Sequence, residues 1–262
     1  MGRIARVQRK GYHFISNRTV ELRQAFVVRE DYLKFIEFVS ELSKSHDFII
    51  HAYTLLGHAY YLLIETKIEN LSAFMKLLSR RYSFYFNNKY GRNGALWEGR
   101  FKSSFMKDEG YAFYFMRYSE YLPKMTGIVL HLEDYPYSSY RQFVGIEKRL
   151  EILESSLVFQ RFNSVEEIKI FFMQEVNKEF IDNLIEILRK QEEQRRKEES
   201  KELKKVLELS DYLFIKQNEE ERIEGMVEAY RAGITQAKIA NFLGLTQQAV
   251  SLKIEVYLRE SV

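Results

Sequence analysis

The stretch FIIHAYTLLGHAYYLLIET, residues 48–66, decides the fold. Residues 48–56 and 60–66 are rich in β-branched and aromatic types, and Gly57 at their junction suits a tight turn, so the two segments are expected to pair as a hairpin. Working outward, residues 12–17 suit a first strand and residues 100–106 a fourth. A helical pattern runs from about Arg29 to His46, with Leu33, Ile36, Val39 and Leu42 three apart. A second helix starts at Asn70 as N-cap, with Leu71, Phe74, Met75, Leu78, Tyr82 and Tyr85 on one stripe and Lys76, Arg80 and Arg81 opposite. A third starts at Asp108 or Glu109 and runs to about Leu122, where Pro123 stops it. This order predicts an α+β fold, a ferredoxin-like antiparallel sheet with helices on one face.

At 262 residues the chain has material for two or three modules. No apolar run approaches the roughly 18 residues that cross a bilayer. The basic start Met1-Gly2-Arg3-Ile4-Ala5-Arg6 leads into no signal-peptide core, so a cytoplasmic protein with no membrane partner is expected. With no cysteine, a disulfide framework, a thiolate zinc site and a cysteine nucleophile are excluded. Residues 1–150 carry 23 Lys/Arg against 15 Asp/Glu, and residues 151–262 carry 17 against 22. The basic first part favours a polyanion, because cations that neutralise phosphates release counterions. From 146 the chain turns helical and acidic, and the mixed-charge run 189–199 reads as a solvated helix face. The expected division is 1–145, a helical connector 146–215, and an all-α module 216–262.

In that last module Ile223, Met226, Val227 and Tyr230 make one apolar face and Gly233 stops the helix. Thr235 caps a short second helix bearing Ile239 and Leu243, Gly244-Leu245 makes a turn, and Thr246 caps a third with Val250 and Ile254 inward. The segment 235–251 resembles the helix-turn-helix of bacterial regulators, in which the last helix enters the major groove. Such a module would engage duplex DNA through Gln236, Thr246, Gln247, Gln248, Ser251 and Lys253.

Across residues 10–145 the motifs Gly11-Tyr12-His13, His51-Ala52-Tyr53, Leu62-Leu63-Ile64-Glu65-Thr66, Leu96-Trp97-Glu98-Gly99-Arg100-Phe101-Lys102-Ser103, Arg117-Tyr118 and Asp134-Tyr135-Pro136-Tyr137-Ser138-Ser139-Tyr140 resemble, in order and spacing, the REP-associated and IS200-like single-tyrosine transposases of the HUH class. The resemblance implies cleavage of single-stranded DNA by one tyrosine, with Mg or Mn polarising the scissile phosphate. It places the nucleophile at Tyr118. It places the metal ligands, two histidines flanking one bulky residue and a polar residue after the tyrosine, at Ala59, Tyr61 and Leu122. Alanine and leucine offer no donor atom, and a neutral phenol is a poor ligand for a hard cation. The five histidines His13, His46, His51, His58 and His131 show no ligand spacing of their own, so no metal or other cofactor is expected.

The resemblance also lends DNA contact, to a hairpin or single strand, to Arg18, Arg92, Arg100 and Lys102 for phosphates and to Trp97 for stacking on a base. Core packing is the competing role for Trp97. The expectation is a domesticated, catalytically inactive transposase homologue that binds DNA as a transcription regulator, with a second copy as a further candidate partner. An active metal-dependent transposase is the alternative, and a purely protein-binding role is a third.

Overall fold

Strands β1 (Gly11–Arg18), β2 (Phe48–Leu56), β3 (Ala59–Thr66) and β4 (Lys102–Met106) form one antiparallel sheet in the order β2-β3-β1-β4. The computed structural model describes residues 9–213, 219–231 and 234–260. At the hairpin turn the Gly57 carbonyl accepts from the amides of Ala25, at 2.7 Å, and Phe26. The side chain of Gln24 lies so close that a Cβ on Gly57 would meet it at 2.0 Å.

Register assigns the faces. Phe14 pairs with Leu63 and Arg18 with Ala59, so Phe14, Ala59, Tyr61 and Leu63 share one face, while Ile15, Tyr60, Leu62 and Ile64 share the other. Helices α1 (Arg29–His46) and α2 (Leu71–Lys89) cover the second face, where Phe35 packs 4.9 Å from Tyr60 and Phe74 lies 4.9 Å from Phe48. Helix α3 (Glu109–Met125) covers the first, with Phe115 stacked on Phe14 at 4.7 Å. The α+β class stands, but helices lie on both faces rather than one. The cause is visible in β3, where Leu62, Leu63 and Ile64 are consecutive and all buried, so each side of the sheet needs apolar cover.

Several local expectations change. Leu33 points outward while Phe35, Ile36, Val39 and Leu42 are buried. Asn70 sits at the start of α2 but makes no side-chain cap, and its amide instead donates to the His46 carbonyl at 3.1 Å, tying α2 to the end of α1. Pro123 does not stop α3, which continues to Met125. A proline late in a helix forfeits one backbone bond, and the Thr126 hydroxyl and amide, both donating to the Leu122 carbonyl, close the last turn before Gly127 at φ 72.

The outer edge of β2 is covered by residues 135–139. The Leu55 amide donates to the Tyr137 carbonyl and the Ser139 amide to the Tyr53 carbonyl, each at 2.9 Å, so the edge has no open ladder there. Helices α4 (Tyr140–Phe143), α5 (Leu157–Arg161) and α6 (Val165–Met173) follow, and then α7 (Lys178–Leu213). Residues Leu153, Leu157, Val158, Ile168, Phe172, Ile181 and Leu184 are buried in the same core as the sheet. The stretch expected as a connector from 146 thus belongs, up to Arg189, to the first of two compact units, 1–189 and 190–262.

In the second unit α8 (Glu219–Arg231), α9 (Gln236–Leu243) and α10 (Gln247–Glu260) enclose Met226, Val227, Ala229, Ile234, Ile239, Ala240, Val250 and Ile254. Gly244, at φ 66, ends α9 in the left-handed conformation that a Cβ would disfavour. Thr246 caps as expected, accepting from the Ala249 amide at 3.2 Å, whereas Thr235 has the extended cap conformation without a side-chain bond. Tyr230 is exposed rather than inward. The expected stop at Gly233 lies outside the described residues.

Candidate functional site

The strand register puts Ser16 and Arg18 of β1, Ala59 and Tyr61 of β3 and Lys102 of β4 on the sheet face under α3. Phe14 is the pivot, with its ring 6.0 Å from Tyr61 and 6.1 Å from Tyr118. Tyr61 and Tyr118, far apart in sequence, thus both lie against Phe14, and Ala59 lies on the same sheet face as Tyr61. Leu122 follows one turn after Tyr118 on α3 and is buried. Ser16 had not been singled out, although its place two residues before Arg18 on a strand carries it to the same face.

The chemistry of this cluster is that of a packed layer. Tyr118 is 8% exposed, and burial, with smaller contributions from Tyr61 and Asp182, pushes its hydroxyl up to about 12. Forming the phenolate is harder than for a free tyrosine by on the order of 3 kcal/mol. Burial also raises Tyr61, which nearby Arg18 partly offsets. A hard divalent cation needs oxygen ligands. At the three positions that the resemblance assigns to ligands stand a methyl group, a half-buried neutral phenol and a leucine side chain, and these do not fit Mg or Mn. Among the described residues, no three His, Asp or Glu side chains are grouped to hold a metal ion.

The buried histidines are committed to structure. His13 bonds the Arg9 carbonyl at 2.8 Å and Ser103 Oγ at 3.3 Å. His51 accepts from the Leu157 amide at Nδ1, 3.2 Å, so Nε2 carries the proton toward Glu65 Oε2 at 3.1 Å.

Of the basic residues, register places Arg18 and Lys102 on this face. Arg18 is exposed and paired with exposed Glu98, which lowers the Glu98 carboxyl. An exposed pair of this kind contributes little, so a phosphate can replace Glu98. Arg92 lies 5.7 Å over the Phe86 ring, and Arg100 and Lys102 are exposed. Trp97 is a correction. At 6% exposure its ring sits 4.9 Å from Tyr60 and 5.9 Å from Tyr82, so it is a core residue with no face open to a base. In the second unit Thr246, Gln247 and Gln248 are exposed, and Gln236, Ser251 and Lys253 are half-buried.

Among solved structures the chain is similar to a REP-associated tyrosine transposase bound to a REP hairpin, at 17% identity and a TM-score of 0.48, over 60% of this chain and 93% of that one. It is also similar to a provisionally assigned transposase from Deinococcus radiodurans R1, at 14% identity and a TM-score of 0.33, over 43% of this chain and 91% of that one. No family profile matches the sequence. No curated protein matches it either.

Proposed function

We propose that this chain is a DNA-binding protein built on a single-tyrosine transposase scaffold, that it has lost metal-dependent cleavage, and that it acts as a transcription regulator. The reading is carried by Ala59, Tyr61 and Leu122, the residues at the three positions that the resemblance assigns to metal ligands, two of which have no donor atom. The exposed cations Arg18, Arg100 and Lys102, and half-buried Arg92, support phosphate contact to a hairpin or single strand. The polar outer surface at the start of α10, with Gln247 and Gln248, supports reading of duplex DNA as a helix-turn-helix, and the capped turn before it sets the approach.

Recovery of bound genomic fragments tests the reading directly. Specific fragments should be retained at moderate salt, with log affinity falling as log salt rises. Replacing Arg18 and Lys102 by alanine should flatten that slope by about 1.4 for a single strand, at roughly 0.7 for each phosphate no longer neutralised. Retention of no fragment sinks the proposal. In the presence of Mg²⁺ or Mn²⁺, hairpin-flanked single strands should give no covalent adduct, and Tyr118→Phe should bind DNA as the parent does. An adduct that vanishes in Tyr118→Phe would establish the active transposase instead.

A further inference from the structure

Phe113, Tyr114 and Arg117 recur at helical spacing on α3, and they meet Arg161 and Phe162 at the end of α5 and Phe171 and Gln174 at the end of α6. Together they line a cavity of about 300 Å³. Three rings form a continuous apolar wall, Phe113 lying 6.0 Å from Phe162 and 5.7 Å from Phe171, and Phe162 5.1 Å from Phe171. The Arg117 guanidinium lies 5.4 Å from both the Tyr114 and Phe171 rings, with one N–H donated to the Gln174 side chain. Its Nε–H is buried and has no acceptor. Arg161 is exposed at the mouth. None of the lining residues is acidic.

We infer that this cavity is a binding site for a nucleoside monophosphate unit, its base against the Phe113–Phe162–Phe171 wall and its phosphate between Arg117 and Arg161. The charge decides the anion. Two guanidiniums match a phosphate monoester, which carries about −1.5 to −2 at neutral pH, better than a carboxylate of charge −1. The rings decide the remainder, because a flat aromatic body gains stacking and cation–π contact there that a bare sugar phosphate does not. The size sets the limit, since a cavity at the small end of ligand sites takes one nucleotide rather than two. A free nucleotide and the 5′-phosphorylated end residue of a single strand share this chemistry, since both present a phosphate monoester.

The test is calorimetric titration of the full chain with dAMP, adenosine, inorganic phosphate, benzoate and a short single-stranded oligonucleotide bearing a 5′-phosphate. Saturable binding of dAMP at least tenfold tighter than adenosine, phosphate or benzoate, weakened at least tenfold in Arg161→Ala at unchanged Tm, is the expected result. If free dAMP fails but the oligonucleotide binds with the same dependence on Arg161, the nucleotide is one carried by a strand. Benzoate binding as tightly as dAMP, or nucleotide and strand binding both indifferent to Arg161→Ala, overturns the proposal. Duplex retention through α10 should survive in Arg161→Ala, so failure at this cavity and failure of the regulator reading are separable.

Discussion

Glu120, two residues past Tyr118 on α3, is fully buried and accepts from the Ser139 hydroxyl and, at 3.0 Å, from the Tyr140 amide. Burial drives its carboxyl up to about 7, although the Ser139 and Ser138 hydroxyls and the Tyr140 and Ser139 amides pull the other way. With the folded value above the unfolded 4.5, the fold favours the neutral acid. Its contribution is full below about pH 4.5 and is lost as pH rises through about 7, by on the order of 3 kcal/mol. In Glu120→Gln the amide oxygen can accept from Tyr140 and its NH₂ can donate to Ser139. The variant should therefore match the parent near pH 5 and exceed it by about 1–3 kcal/mol at pH 8 in denaturant melts. A difference that does not change with pH would show that Glu120 stays ionised. Asp31 is the opposite case. Burial alone would raise it, but bonds from Lys89, the Val28 and Val27 amides and Tyr90 outweigh burial and hold it at about 2. Its stabilisation is present above the unfolded 3.8 and lost as pH falls through about 2. Asp31→Ala should cost about 3 kcal/mol at pH 7, and less below pH 4.

At the scale of elements, α5 is held to the sheet by a bulge in β2 between Ile50 and Ala52, where His51 accepts from the Leu157 amide while its carbonyl accepts from Ser156 Oγ at 2.7 Å. His51→Leu strands the Leu157 amide and removes the Glu65 partner. A loss of about 2–3 kcal/mol is expected, read as faster hydrogen exchange in α5 and α6 than in α1. Unchanged protection there would mean that apolar packing alone holds α5. This junction also shows which parts of the fold were legible in the sequence. The hairpin, α1, α2 and the start of α3 could be read because their signals are local. The docking of α5 and α6 could not, since Leu157 meets a histidine 106 residues away and both helices are short. The same limit governs Trp97, whose basic and aromatic neighbours suggested an exposed platform. Its burial is decided by Phe35, Tyr60 and Tyr82, on three other elements. Strand alternation alone puts Ala59 and Tyr61 on one face, whereas their roles, and those of Tyr118 and Leu122, come from the family resemblance and not from periodicity.

For the whole molecule, moving the boundary from 145 to 189 changes the charge argument. The first unit, 1–189, carries 27 Lys/Arg against 23 Asp/Glu, so its basic excess is half that of residues 1–150. A general pull on polyanions weakens accordingly, and the DNA binding proposed for this unit rests on the exposed Arg18, Arg100 and Lys102. The boundary itself can be tested by truncation. Ending the chain at 145 removes seven buried apolar side chains, from Leu153 to Leu184, that pack in the sheet's core. At about 1.5–3 kcal/mol each this forfeits roughly 10–20 kcal/mol, as much as a domain's whole stability. Residues 1–189 keep all seven. The longer fragment should give the near-ultraviolet circular dichroism of packed aromatics and one cooperative melt, and the shorter should lose both. If residues 1–145 alone melt cooperatively with that spectrum intact, α5, α6 and the start of α7 are a covering layer and the connector boundary at 145 is restored.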